Sequence, residues 1–146
     1  MNTQPDFEEL LRLLEENQVD YMIVGGYAVV FYGFLRMTKD IDIFYNSDKE
    51  NIKKLKQALV HFGFNEKDLP ATHFSTEGNV ITFGVVPVRI DLLNTIDGVR
   101  YEVARENIVR GQYGKIEVNF IGLKDLKQNK ASTNRLKDKL DLEELP

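Results

Sequence analysis

Residues 21–44 read YMIVGGYAVVFYGFLRMTKDIDIF, and the order of residue types in that stretch decides the fold. Tyr21-Met22-Ile23-Val24 is a short apolar run of strand formers stopped by Gly25-Gly26. From Tyr27 to Leu35 the chain is apolar on nearly every side, as a buried helix would be. Asp40-Ile41-Asp42-Ile43-Phe44 then alternates strictly, which predicts a strand with one carboxylate face and one apolar face.

Outward from that stretch, helices and strands alternate. Asp6 is placed to cap a first helix, running to about Asn17, whose Phe7, Leu10, Leu11 and Leu14 recur at helical spacing. Ser47 and Glu50 have the spacing of a capping box, and Ile52, Leu55, Leu59 and Phe62 carry a helix to Gly63. Thr72 to Ser75, Val80 to Val85 and Val88 to Leu93 read as three further strands, followed by a turn at Asp97-Gly98. A short helix is expected at Glu102 to Asn107 and a strand at Ile116 to Ile121. Helices at Leu123 to about Lys130 and Asn134 to Leu145 close the chain. The pattern predicts the α/β class, with a mixed β-sheet flanked by helices.

The 146 residues fit one domain, 1–146, with the helices of about 123–145 packed on it. Without cysteine there is no disulfide, thiolate zinc site or catalytic thiol. The 19 Lys and Arg against 23 Asp and Glu, for a net charge of −4, argue against a broad basic surface for nucleic acid. No run approaches the ~18–20 apolar residues of a membrane span, and the acidic start is unlike a signal peptide. A cytoplasmic protein with no membrane partner is expected.

Asp40 and Asp42, two apart on a strand, leave the same face. Adjacent carboxylates repel, and a bound cation removes that repulsion; hard oxygen ligands suit Mg²⁺. A solvated strand face is the competing explanation. Asp91 lies in Val88-Arg89-Ile90-Asp91-Leu92-Leu93, sharing a face with Arg89 and Leu93. A lone Asp among aliphatic residues is costly unless it is paired or binds metal. Gly25-Gly26, between strand and helix, lets backbone N–H groups approach a phosphate, although such a pair also serves as a plain tight turn. Three carboxylates on neighbouring strands beside such a turn suit a two-metal site for transfer at phosphorus.

Val24-Gly25-Gly26 followed by Asp40-Ile41-Asp42-Ile43, with Asp91 later on another strand, resembles the signature of the DNA polymerase beta-like nucleotidyltransferase superfamily. Arg36-Met37-Thr38-Lys39-Asp40-Ile41-Asp42 resembles the R-x-T-x-D-h-D form of small bacterial nucleotidyltransferases of the abortive-infection and toxin–antitoxin type. Lys130 and the segment Arg135 to Leu142 are similar to the terminal helices of those proteins. The resemblance implies a nucleotidyltransferase fold and metal-dependent transfer of a nucleoside monophosphate from an NTP, such as ATP, to a hydroxyl acceptor. It implies that Asp40 and Asp42 hold two Mg²⁺ (or Mn²⁺) ions. Asp91 would complete the second site and help remove the hydroxyl proton. Gly25 and Gly26 would contact the phosphates, and Lys130 would neutralise the leaving pyrophosphate. Many members have Ser at the position of Gly26, so the hydroxyl contact to phosphate is absent here or replaced.

Arg36 can reach a phosphate or pair with Asp40, whereas Thr38 is expected to bond backbone where the carboxylate strand begins. His61 reads as a helix-end residue and His73 as a surface residue on a strand. Lys49, Lys53, Lys54 and Lys56 read as a solvated helix face, and Tyr27, Phe31, Tyr32 and Phe34 as core. The alternative to an enzyme is a catalytically silent binding module acting as antitoxin or regulatory partner. An acceptor cleft in so short a chain would call for a homodimer.

Overall fold

A computed structural model describes residues 3–34, 38, 40–84 and 88–146. Along the chain lie α1 (Pro5–Glu16), β1 (Tyr21–Val24), α2 (Gly25–Phe31), β2 (Asp40–Tyr45), α3 (Lys49–Phe62), α4 (Ala71–Ser75), β3 (Val80–Phe83), β4 (Arg89–Leu93), α5 (Tyr101–Ala104), β5 (Val109–Tyr113), β6 (Ile116–Phe120), α6 (Leu123–Ala131) and α7 (Leu136–Glu144). The strands form one six-stranded sheet in the order β3-β4-β2-β1-β6-β5. β1 pairs parallel with β6 and β2 with β4, while β1–β2, β3–β4 and β5–β6 are antiparallel. The expected mixed sheet flanked by helices is therefore present.

Strand alternation sorts the apolar residues onto two faces. Tyr21, Ile23, Ile41, Ile43, Ile90 and Leu92 face one cluster, against which α1 packs Phe7, Leu10, Leu11 and Leu14 and α3 packs Ile52, Leu55 and Leu59. Met22, Val24 and Phe44 face a second cluster with Tyr101, Ala104, Ile121, Leu126 and Leu145. The buried α2 contributes to both, Tyr27 to the first and Ala28 and Val29 to the second. Among the described residues, no helix is long and apolar enough to cross a membrane.

Several local expectations are corrected. Asp6 lies inside α1, which begins with Pro5 after a Gln4 that makes no side-chain cap. A missing cap weakens a helix by about 1 kcal/mol. Each buried Leu or Phe of α1 contributes about 2 kcal/mol, so packing decides. At α3 the capping residue is Asp48, not Ser47: its Oδ1 accepts from the Asn51 backbone N–H at 2.8 Å. Thr72 to Ser75 forms a helical turn, not a strand, so His73 sits on α4. There Phe74 is fully buried, and its carbonyl accepts from the Tyr45 hydroxyl at 2.9 Å and the Asn94 amide at 3.1 Å. β5 was not expected, because Val109-Arg110-Gly111-Gln112-Tyr113 is too polar to read as a strand. Its Gly111 leaves room for the Phe31 ring, which stacks on Phe120 with centroids 4.0 Å apart.

Candidate active site

The register of four strands builds the site. In the parallel pairing of β2 with β4, Asp42 lies opposite Asp91 and Asp40 opposite Arg89. Val24 on β1 is opposite Asp42, and Thr82 on β3 is opposite Asp91. A row Val24–Asp42–Asp91–Thr82 thus crosses the sheet, with Asp40 and Arg89 side by side in the next row. Strand alternation places these carboxylates on the face of Phe44 and the second core cluster. The three aspartates predicted from sequence are brought together.

Gly25 opens α2 with φ +67°, a conformation that favours glycine, and a Cβ there would collide with Oδ2 of Asp42. The carboxylate of Asp42 fills the space a side chain would take, so the turn and the second aspartate fit only as a pair. Gly26 follows, buried in the first turn of α2.

Asp42 is the electrostatically loaded member of the row. Burial raises its pKa, and the charge of Asp91, a hydrogen bond shared with Asp91 and the charge of Asp40 raise it further, to about 7. Lys130 acts in the opposite direction. Asp91 is tightly held: its Oδ1 accepts from the Thr82 hydroxyl at 2.8 Å and from Arg89 Nε at 3.1 Å. The same Nε stands 3.9 Å from Oδ2 of Asp40. Oδ1 of Asp40 is buried and has no hydrogen-bond partner among the described residues.

Lys130 is buried on α6, with Nζ 2.7 Å from Oδ1 of Asp138 and 3.1 Å from Oδ2 of Asp141, both on α7. The Thr133 hydroxyl and Arg135 Nε also donate to Asp138, at 2.7 and 2.8 Å. Burial pushes the Asp138 carboxyl up, yet its bonds to Lys130 and Thr133 and the charges of Lys130 and Arg135 hold it below the ordinary carboxylate value. Lys130 is therefore engaged with α7 while its charge is felt at Asp42. Arg36 lies outside the described residues. Thr38 has a buried hydroxyl oxygen with no partner among the described residues, so the expected backbone bond is not seen there.

The face that Arg89 shares with Asp91 follows from the sequence, but its contact with Asp40 depends on the β2–β4 register. Two further features are hidden in the sequence. Thr82 depends on the register of β3, which no local pattern specifies. Asp138 and Asp141 are one helical turn apart, a spacing at which two carboxylates can meet one lysine.

The donor set suits a hard divalent cation. It offers carboxylate oxygens only, one buried oxygen on Asp40 lacks a donor, and like charges at Asp42 and Asp91 would be relieved by a cation. The set is open rather than closed: among the described residues, no three acidic or imidazole side chains already stand in a metal-holding arrangement.

No curated protein matches the chain significantly. In fold it is similar to LnuA, a lincosamide antibiotic adenylyltransferase solved with lincomycin bound, with a TM-score of 0.57 and 16% sequence identity, covering 98% of this chain and 96% of that one. This likeness establishes the nucleotidyltransferase fold expected from the motif. Residues 3–146 match the family described as nucleotidyl transferases of unknown function (DUF2204), and the chain belongs to that family.

Proposed function

We propose that this nucleotidyl transferase moves a nucleoside monophosphate from an NTP to a hydroxyl group, using Mg²⁺ or Mn²⁺ held by Asp40, Asp42 and Asp91. The observation that carries this reading is the Asp42–Asp91 pair across β2 and β4, with Asp40 beside it and Gly25 packed against Asp42. A row of carboxylates in which burial and like charge push Asp42 up, set on a rigid sheet, is a poor device for stability and a good one for holding charge in place.

The acceptor oxygen attacks the α-phosphorus, the bond to the oxygen bridging to the β-phosphorus breaks, and pyrophosphate leaves. When bound, the cation neutralises the triphosphate and makes the acceptor hydroxyl more acidic. The protein supplies position. Asp91, placed opposite Asp42 across the sheet, would help take up the acceptor proton, the role the resemblance implies for it. Gly25 and Gly26 would contribute backbone contacts to the phosphates from the start of α2, the role the resemblance implies for them. Lys130 adds positive field at the carboxylates, and would reach a phosphate only by loosening its hold on α7. Arg36 is assigned to the nucleotide through its place in the R-x-T-x-D-h-D run. A place in a toxin–antitoxin or phage-defence pair is part of the proposal, and rests on the resemblance of that run alone.

The test is incubation with each α-labelled NTP, Mg²⁺ and cell extract, comparing wild type with the Asp40→Ala/Asp42→Ala double variant. Label on a protein, RNA or small-molecule band with wild type only is the expected result. Mg²⁺–NTP binding without transfer to any band would favour the silent binding module instead.

A further inference from the structure

Arg89 stands where a catalytic site of three carboxylates has no obvious use for it. It is opposite Asp40 in the β2–β4 register, its Nε lies 3.1 Å from Oδ1 of Asp91 and 3.9 Å from Oδ2 of Asp40, and its side chain is 43% exposed. A half-exposed ion pair contributes little to stability, so holding the fold together is a weak reason for this placement. The geometry offers a stronger one. Two donors, Thr82 Oγ1 and Arg89 Nε, converge on a single oxygen of Asp91. Together they fix the rotation of that carboxylate. The donors also come from different strands, Thr82 from β3 and Arg89 from β4 itself. Only Nε of the guanidinium is committed in these contacts. The charge it brings is the one positive group among the described residues in contact with both Asp40 and Asp91.

We propose that Arg89 is a positioning residue with two duties: together with Thr82 it sets the rotation of Asp91, and it is the resident cation of the carboxylate row, in competition with the divalent ion for Asp40 and Asp91. The inference rests on the metal-dependent reading of the site given above. The two duties separate cleanly by variant. Thr82→Val removes one donor from Asp91 and leaves the charge of the site untouched. Arg89→Lys keeps the charge but replaces the fixed planar Nε–H by a mobile ammonium. Arg89→Ala removes both charge and donor.

The experiment pairs calorimetric titration with Mn²⁺, in the absence of nucleotide, with steady-state kinetics on the acceptor found by labelling. Circular dichroism confirms that each variant is folded. Arg89→Ala is expected to bind Mn²⁺ more tightly, by about five-fold, because a competing charge has gone. Its kcat is expected to fall by about ten-fold or more, because Asp91 is no longer oriented. Arg89→Lys should bind Mn²⁺ within about two-fold of wild type, since the charge remains. Thr82→Val should show the loss of kcat, again about ten-fold, with Mn²⁺ affinity and KM for the NTP unchanged. A merely structural ion pair does not move metal affinity and turnover in opposite directions. Arg89→Ala with both quantities at wild-type values overturns the inference while leaving the metal site standing. Wild-type protein that binds no Mn²⁺ overturns the metal reading, and this inference with it.

Discussion

Asp42 shows how much a single residue can be asked to bear. It packs against a glycine that leaves it room, lies opposite a second carboxylate, and is pushed up to about 7 by burial first and by Asp91 and Asp40 next. A folded-state pKa above the ordinary carboxylate value means that the folded protein prefers the protonated form. The resulting penalty is absent near pH 4, grows as pH rises towards 7, and is complete above it. In EDTA, Asp42→Asn is therefore expected to stabilise the protein by about 1–3 kcal/mol at pH 8, with the gain fading towards zero at pH 4. Urea unfolding at the two pH values measures this, and a variant no more stable than wild type at pH 8 would show that the charge is not strained. The shared face of Asp40 and Asp42 was legible in the sequence, because strand side chains alternate with period two. The pairing of Asp42 with Asp91 was not, because the two lie far apart along the chain and register between distant strands leaves no local trace.

Among the elements, α7 has an inverted pattern. Its Asp138 and Asp141 are buried against Lys130, while Leu136 and Leu140 are 71% and 52% exposed. What holds the helix to α6 is a buried ion network rather than an apolar seam, helped by Leu145 just beyond its end. Removing one partner from such a network strands buried charge. Lys130→Met is expected to destabilise the protein by about 3 kcal/mol at pH 7. The loss should shrink in acid, as Asp138, which the network holds below the ordinary carboxylate value, takes up a proton. Leu140→Ala, at an exposed position, should change stability by no more than about 0.5 kcal/mol. Urea midpoints for the two variants give the comparison, and equal effects would show that the network does not hold α7. The existence of α6 and α7 was readable from sequence, but the partners of Lys130 were not, since a charged run reads first as a solvated face. The same limit explains the other departures. Phe74 turns Thr72–Ser75 helical by docking in the core, and β5 is a strand because β6 offers it an edge, not because its residues favour one.

For the whole molecule, the sheet order β3-β4-β2-β1-β6-β5 brings Thr82, Asp91, Asp42 and Val24 into one row from four strands. Two clusters of apolar residues, one on each face, hold that row rigid. The carboxylates share a face with the smaller cluster, beside α6 and its buried lysine. Rigidity matters because transfer at phosphorus depends on position more than on covalent help from the protein. The α/β class and the mixed sheet followed from the early alternation of helices and strands. The strand order did not, because it is set by which faces can be buried together. The central claim concerns which phosphorus is attacked, and parallel reactions with α-labelled and γ-labelled NTP, Mg²⁺ and the acceptor test it most directly. The account predicts that α-label stays on the acceptor and γ-label leaves in pyrophosphate, both abolished by Asp42→Asn. Transfer of the γ-label to the acceptor, or α-label transfer that survives Asp42→Asn, would contradict it.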